Sequence, residues 1–278
     1  MPEPDQTTRQ RAHMPEGSQK ILHARSLQMA NRRLAALLQP GMCVLDVGCG
    51  TGAITRGIAA AVGPQGRVVG VDVNADLIAE AQQAYGDVSN LSFEAHDVYR
   101  LPFRDVFDIV SASRVLQWLS QPIDALRAMR EAAAPGGRVV VLDYNHERAV
   151  WQPELPPSMQ QFYRRFLQWR AEAGMDNTIA DRLAELLEQV GLIDVIEHPQ
   201  PERTTRCDPD FDVRTGLWAD VAASRGHQMV QDGVMTEQLR ALAEAEHRAW
   251  MREAAVSQDL YLLAVEGSRP PEPAGCSG

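Results

Sequence analysis

Lysine is almost missing from this chain: of 27 basic residues only Lys20 is a lysine, and they face 37 acids. The net charge is −10 and the isoelectric point about 5.2. Nucleic-acid binding relies on clustered Lys and Arg against phosphates. Here the arginines mostly alternate with acids at helical spacing, which makes solvated faces, so no nucleic-acid partner is expected. Cysteine is scarce as well. Cys43, Cys49, Cys207 and Cys276 contain no Cys-x-x-Cys pair and no metal-ligand spacing, so no metal is expected and the compartment reads as reducing and cytoplasmic. Cys43 and Cys49 flank an apolar run and read as packing residues. No apolar run approaches the length of a membrane span. The polar, Pro-rich start does not read as a signal peptide.

What the chain does have is apolar patterning, 45% hydrophobic residues over 278, enough for one large α/β domain or a domain plus a cap. Residues 44–52 read VLDVGCGTG: an apolar run, an acid, and three glycines at alternate positions leading into a helical pattern. The run is a buried strand. The glycines form a turn whose backbone N–H groups can lie directly against a ligand. Such a turn in an α/β sheet is where nucleotide-like cofactors bind.

The spacing is G-x-G-x-G, not the G-x-G-x-x-G of NAD enzymes, and no Gly-Lys-Ser/Thr follows for a triphosphate. Asp46 would repel a pyrophosphate and suits a cationic amine instead. Asp72 ends a second apolar strand, about 20 residues after the glycines, the spacing at which an acid grips a ribose diol. Its competing role, N-cap of a helix over 75–85, falls better to Asn74. A third strand, 91–95, leads into His96, Asp97 and Val98, where an acid can accept from an adenine amine. Three strand ends thus carry carboxylates suited to an amine, a ribose and an adenine. An NAD-linked oxidoreductase is the rival and needs a pyrophosphate beside Asp46.

Strands at 44–47, 67–71, 91–95, 106–111, 138–143, 192–197 and 260–265 alternate with helices at 18–39 (one helix, or two with a break), 53–62, 75–85, 122–134 and 179–190. That alternation predicts a doubly wound sheet. Residues 1–17 read as a flexible N-terminus and 18–143 as the cofactor-binding core. Residues 144–178 read as an aromatic helical insertion without a strand. The rest of the domain, with cap helices at 208–225 and 236–255, occupies 179–266, and 267–278 reads as a disordered tail.

Taken with VVGVDVN at 68–74, FEAHDVYRLPF at 93–103, FDIVSASRVLQWL at 107–119 and PGGRVVVLD at 135–143, the chain resembles the class I S-adenosylmethionine-dependent methyltransferases. It looks closest to the group that includes the ubiquinone/menaquinone-biosynthesis C-methyltransferases and many small-molecule methyltransferases. The resemblance implies a Rossmann-like α/β fold. Its doubly wound sheet would have seven strands, the last antiparallel, with an N-terminal helical segment and a helical lid. It implies S-adenosyl-L-methionine as cofactor and S-adenosyl-L-homocysteine as product. By the same resemblance Asp46, Gly48 and Gly50 hold the methionine part, Asp72 the ribose and Asp97 the adenine amine. Backbone near Ser113 takes the amino group. Thr51, Gly52, Val73, His96 and Val98 are counted with them as cofactor-binding positions.

Ligands bind at the carboxyl ends of parallel strands, so the methyl acceptor should face 113–118 and 144–146. His146 is the first candidate for a general base, with a surface histidine beside Glu147 as the alternative. Arg114 suits an anionic group on the substrate or the cofactor carboxylate, or else is a solvated loop residue. Trp118, Tyr144, Trp151, Tyr163, Trp169 and Trp218 are the candidate substrate contacts. The stripe Phe162, Tyr163, Phe166, Trp169 has helical spacing and fits core packing as well as a lid. Trp250 fits a cap or a core in the same way. His13 and His23 lie in a segment that in relatives often folds over the cofactor. No Asn/Asp-Pro-Pro-Tyr/Phe follows the fourth strand, which argues further against a nucleic-acid substrate. The expected activity is methyl transfer to an oxygen, nitrogen or carbon of a small, partly apolar molecule, by a monomer or homodimer. The alternatives are a macromolecular (RNA or protein) methyltransferase and a non-catalytic cofactor-binding partner protein.

Overall fold

Apolar runs with little alternation are strands covered on both faces, and here they form the middle of a parallel sheet. The computed structural model describes residues 6–13 and 25–272. Its parallel strands are β1 (Cys43–Val47), β2 (Arg67–Asp72), β3 (Leu91–Ala95), β4 (Phe107–Ser113) and β5 (Ala133–Gln152). Three more follow: β6 (Ile193–Pro199), β7 (Glu202–Thr205) and β8 (Ser257–Ser268). β8 runs antiparallel between β5 and β6, giving the order β3-β2-β1-β4-β5-β8-β6. The expected seven strands and reversed last strand are all there. The short β7 pairs with β8 off this path and is an eighth strand. Its four residues, ERTT, carry no apolar signal.

Two strands are longer than expected, with one consequence. β5 does not stop at Asp143. Asn145 still pairs with Tyr261 and, after a bulge, Val150–Gln152 pair with Asp259–Ser257. Residues 144–152 are therefore strand, not part of a strandless insertion. Their aromatic content suits a strand buried against helices as well as it suits a helix. The last strand likewise continues to Ser268, into the expected tail.

The helices are α1 (Gln6–Ala12), α2 (Leu27–Ala30), α3 (Arg32–Leu37), α4 (Ala53–Val62), α5 (Ala75–Tyr85), α6 (Pro122–Ala132), α7 (Pro157–Glu172) and α8 (Leu183–Gln189). The C-terminal part adds α9 (Phe211–Thr215), α10 (Leu217–Ala223), α11 (Arg225–Gln231) and α12 (Glu237–Glu253). Of the two readings of 18–39, one helix or two with a break, the described part has the break, at Asn31, whose side chain accepts from the Leu34 N–H and starts α3. Residues 18–24, with His23, lie outside the described residues. Asn74 caps α5 as expected, accepting from the N–H groups of Asp76 and Leu77.

Packing makes two kinds of core. Aliphatic clusters fill the sheet's two faces, around Leu45, Val110 and Val139 on one and Val44, Ile58 and Val68 on the other. A separate aromatic cluster joins α7, α10 and α12 through Phe162, Tyr163, Phe166, Trp169, Trp218 and Trp250. Each fully buried ring contributes roughly 1.5–3 kcal/mol relative to exposure, so this cap is a packed layer. Among the described residues no helix is long and apolar enough to cross a membrane.

Candidate active site

The C-terminal tips of β1, β2, β4 and β5 and the loop after β3 open on one cavity of about 600 Å³, roofed by α1, α7, α10 and α11. Its size is that of a cofactor or drug-sized ligand, roughly 300–1,000 Å³.

At the strand tips the floor is mostly backbone. Gly48 and Gly50 hold φ of +71° and +55°, and a Cβ on Gly48 would collide with the Val115 side chain. The turn is pinned to β2: the N–H groups of Gly48 and Cys49 donate to the Val71 carbonyl at 2.7 and 3.0 Å. Asp72 holds it from the other side, accepting from the Gly50 N–H at 3.0 Å and the Asn74 N–H at 2.9 Å. Burial raises the Asp72 pKa, and those backbone donors pull it back. Asp97 accepts from the Tyr99 N–H at 3.0 Å. His96, whose Nε2 lies 3.0 Å from Glu94, and Val98 stand beside it. Val73, 73% exposed, supplies an apolar edge.

Three expected loop residues are not on the wall. Asp46 is buried within the sheet and accepts from Thr55 Oγ1 at 2.8 Å and Ser111 Oγ at 3.1 Å. Burial pushes its pKa up to about 6. Side chains alternate along a strand, so Val47, not Asp46, meets the cavity. Thr51 is buried behind the turn. Gly52 starts α4 at φ +77°, and a Cβ there would lie 2.6 Å from Phe93. These residues shape the turn from behind.

The other end of the cavity is walled by Trp118, Tyr144, His146, Phe166, Leu217 and Trp218. His146 is no surface histidine; it stacks on Tyr144 with ring centroids 5.1 Å apart. Its Nε2 lies 2.7 Å from Gln117 Oε1, which also accepts from Arg170 at 3.2 Å. The Gln117 amide donates to the Arg114 carbonyl at 3.3 Å, which fixes its orientation. Nε2 therefore carries the proton, and Nδ1 lies 3.5 Å from the Tyr163 hydroxyl, which itself donates to the His146 carbonyl. Burial, then Arg170, holds the His146 pKa well below 6.5, so the ring is neutral near pH 7.

Arg114 sits at φ +63°, a conformation that costs a non-glycine residue about 1–2 kcal/mol. Its Nε donates to the Tyr144 hydroxyl at 2.9 Å, and one terminal nitrogen pairs with Glu202. Burial opposes its charge, but Tyr144 and Glu202 outweigh it and raise the pKa.

Of the expected substrate contacts, Trp118, Tyr144 and Trp218 reach the cavity; Trp151, Tyr163 and Trp169 do not. Those three pack inside the cap. Trp151 donates to Gln258 at 2.9 Å, Tyr163 to the His146 carbonyl at 2.8 Å and Trp169 to Asp232 at 2.7 Å. The helical stripe gives both answers: Phe166 faces the cavity and Tyr163 the core. His13 lies on the wall near Asp72.

Sequence reasoning missed Arg25, Gln117 and Arg225, which also line the cavity, and Glu202 behind it. Gln117 stood in a quoted block; the others carry no local signal. Among the described residues no cluster of His, Cys, Asp and Glu is arranged to hold a metal. The floor fits S-adenosylmethionine: a glycine cradle that a Cβ would fill, a carboxylate for a diol and another for an amine.

A family model described as a methyltransferase domain matches residues 38–191. A ubiquinone/menaquinone biosynthesis C-methyltransferase from Burkholderia vietnamiensis is 30% identical over 195 residues, covering 64% of this chain and 76% of the relative. Its counterpart from Ectopseudomonas mendocina is 38% identical over 112 residues, 39% of this chain and 44% of the relative. A Streptomyces fradiae transposon protein is 36% identical over 104 residues, covering 37% of this chain and 30% of the relative. The chain thus spans under half the length of the last two. In structure it is similar to a putative methyltransferase from Bacillus halodurans, with a TM-score of 0.56 at 16% identity, covering 87% and 98% of the two chains. It is also similar to the [4+2]-cyclase SpnF, with a TM-score of 0.53 at 21% identity, covering 93% and 88%. The cyclase shares the fold under another reaction's name, so the fold alone does not assign chemistry. The family model and the Burkholderia relative go further: this chain belongs to the class I S-adenosylmethionine-dependent methyltransferase family.

Proposed function

We propose that this protein transfers a methyl group from S-adenosylmethionine to a small, partly apolar molecule held beneath the cap. The observation that carries the reading is a single cavity with carboxylates at one end and a ring-lined wall at the other. Bound there, the cofactor supplies an electrophilic methyl group on a sulfonium.

In this reading Asp72 takes the ribose hydroxyls and Asp97 the adenine amine, with Val73 and Val98 against the adenine. The side-chain-free turn at Gly48 and Gly50 leaves room for the methionine part, and backbone at Ser113 takes its amino group. Trp118, Phe166 and Trp218 exclude water and orient the acceptor, and such positioning supplies much of a transfer rate. His146 lines the wall as a neutral ring, and in this reading it takes the acceptor's proton on Nδ1, which lies 3.5 Å from the Tyr163 hydroxyl.

The test uses labelled cofactor with the protein and a fractionated lysate, after calorimetric titration with S-adenosylhomocysteine and NAD. Label in a small-molecule fraction supports the proposal. Label only in protein or RNA overturns the substrate class. NAD binding without S-adenosylhomocysteine binding overturns the donor, and absence of label points to a binding protein. Sedimentation distinguishes monomer from homodimer.

A further inference from the structure

We propose that Arg114 and Arg25 form a carboxylate-binding site, and that the methyl acceptor is a monoanionic carboxylic acid with an apolar body. The inference rests on the methyl-transfer reading above and names the class of its substrate.

Arg114 is 6% exposed and lines the cavity, yet only part of its guanidinium is used. Nε is taken by Tyr144 and one terminal nitrogen by Glu202. The other, Nη1, is buried without a hydrogen-bond partner among the described residues. A buried donor left unmade costs about 1–3 kcal/mol, so the site is built at a cost that a ligand acceptor would recover. Arg25 lines the same wall, partly buried, and makes no hydrogen bond to any described residue. It feels Arg114, Tyr144, Glu202 and Asp143 electrostatically. Two like charges so placed oppose each other, and Glu202 and Asp143 offset them.

The two guanidinium groups face two carboxylates, Glu202 and Asp143, so the pair holds no surplus charge for a dianion. That balance tolerates the single charge of a carboxylate better than the two of a phosphate. The planar guanidinium fork also fits a carboxylate. Trp118, Phe166, Trp218 and Leu260 supply the wall for an apolar body.

The Ser113 backbone that in this reading takes the cofactor's amino group adjoins Arg114, but the Arg114 guanidinium is held outward of β4, by Tyr144 on β5 and Glu202 on β7. Glu202 lies further out, on β7 opposite Leu260.

The experiment saturates the protein with S-adenosylhomocysteine and titrates benzoate, phenylacetate and octanoate, each against its primary amide, with phenyl phosphate alongside. Calorimetry should show acids binding about tenfold or more tightly than their amides. Arg114→Gln and Arg25→Gln should each erase that preference, and Arg25→Lys should restore part of it. Arg25→Gln serves if Arg114→Gln fails to fold, because Arg25 lies outside every helix and strand. Equal binding of acids and amides, no binding of any acid, or tighter binding of phenyl phosphate than benzoate overturns the proposal. So does loss of S-adenosylhomocysteine affinity with acid preference intact, which would place the arginines on the cofactor. Failure of the native protein to take up S-adenosylhomocysteine, measured first, would instead sink the methyl-transfer reading.

Discussion

At the strand tips, Asp72 ends β2 and Asp97 lies two residues past β3, and each accepts from an N–H two residues on. At the roof, Phe166 and Trp218 come from two helices and meet through packing, while Arg225, from a third, lies over the Trp118 ring. The floor uses local chain geometry to aim acids at a ligand, and its side chains carry little of the fold. The roof aims its rings by the same contacts that make the cap's core. Recognition and stability are therefore separable at one end of the cavity and fused at the other.

Four measurements press on that contrast. Trp218→Ala should cost about 3–5 kcal/mol in denaturant unfolding, since Trp218 packs on Tyr163, Phe166 and Trp151 with centroids 4.6–6.3 Å away. Val73→Ala at the floor should change stability by under about 0.5 kcal/mol, and comparable losses in the two would break the contrast. Next, His146→Ala should lower kcat about a hundredfold while S-adenosylhomocysteine affinity holds. An unchanged kcat would leave His146 as a packing partner of Tyr144. Asp72→Ala should do the reverse, weakening S-adenosylhomocysteine about tenfold or more with modest effect on stability.

The smallest effect is a pH dependence at Asp143, where the roof's machinery meets the sheet. Burial raises its pKa from 3.8 to about 6, against the N–H donors of Gln117 and Tyr144 and the charges of Arg170 and Arg114. A carboxyl raised on folding stabilises below its unfolded value, and that stabilisation is lost as pH climbs through the folded one. Asp143→Asn lacks this loss. Its unfolding free energy relative to the native chain should rise by roughly 1 kcal/mol from pH 5 to 7. A pH-independent difference would mean that Asp143 ionises normally.

The same contrast explains what could be read from the residues alone. Strand ends, the glycine turn, Asp72, Asp97 and the Asn74 cap are written in spacing, because each depends on neighbours a few residues away. Asp46 shows the limit: its place in the motif was legible, but strand alternation turns it to Thr55 and Ser111. The aromatic stripe was legible as a helix face, but which rings meet ligand depends on where α10 and α12 land. Arg25 and Glu202 lie 177 positions apart in the numbering and share one electrostatic neighbourhood. No local pattern encodes that.

Arg225 has a further consequence. Its guanidinium lies 3.9 Å over the Trp118 ring and donates to the Arg11 carbonyl at 2.8 Å and the His13 carbonyl at 3.3 Å. It thereby caps the C-terminal end of α1, a helix of seven residues that is too short to persist alone in water. The order of this segment is thus linked thermodynamically to whatever touches Arg225 or Trp118, and the coupling is reciprocal. Amide exchange at residues 6–13 is then a native reporter of cavity occupancy, readable without label, substrate or turnover.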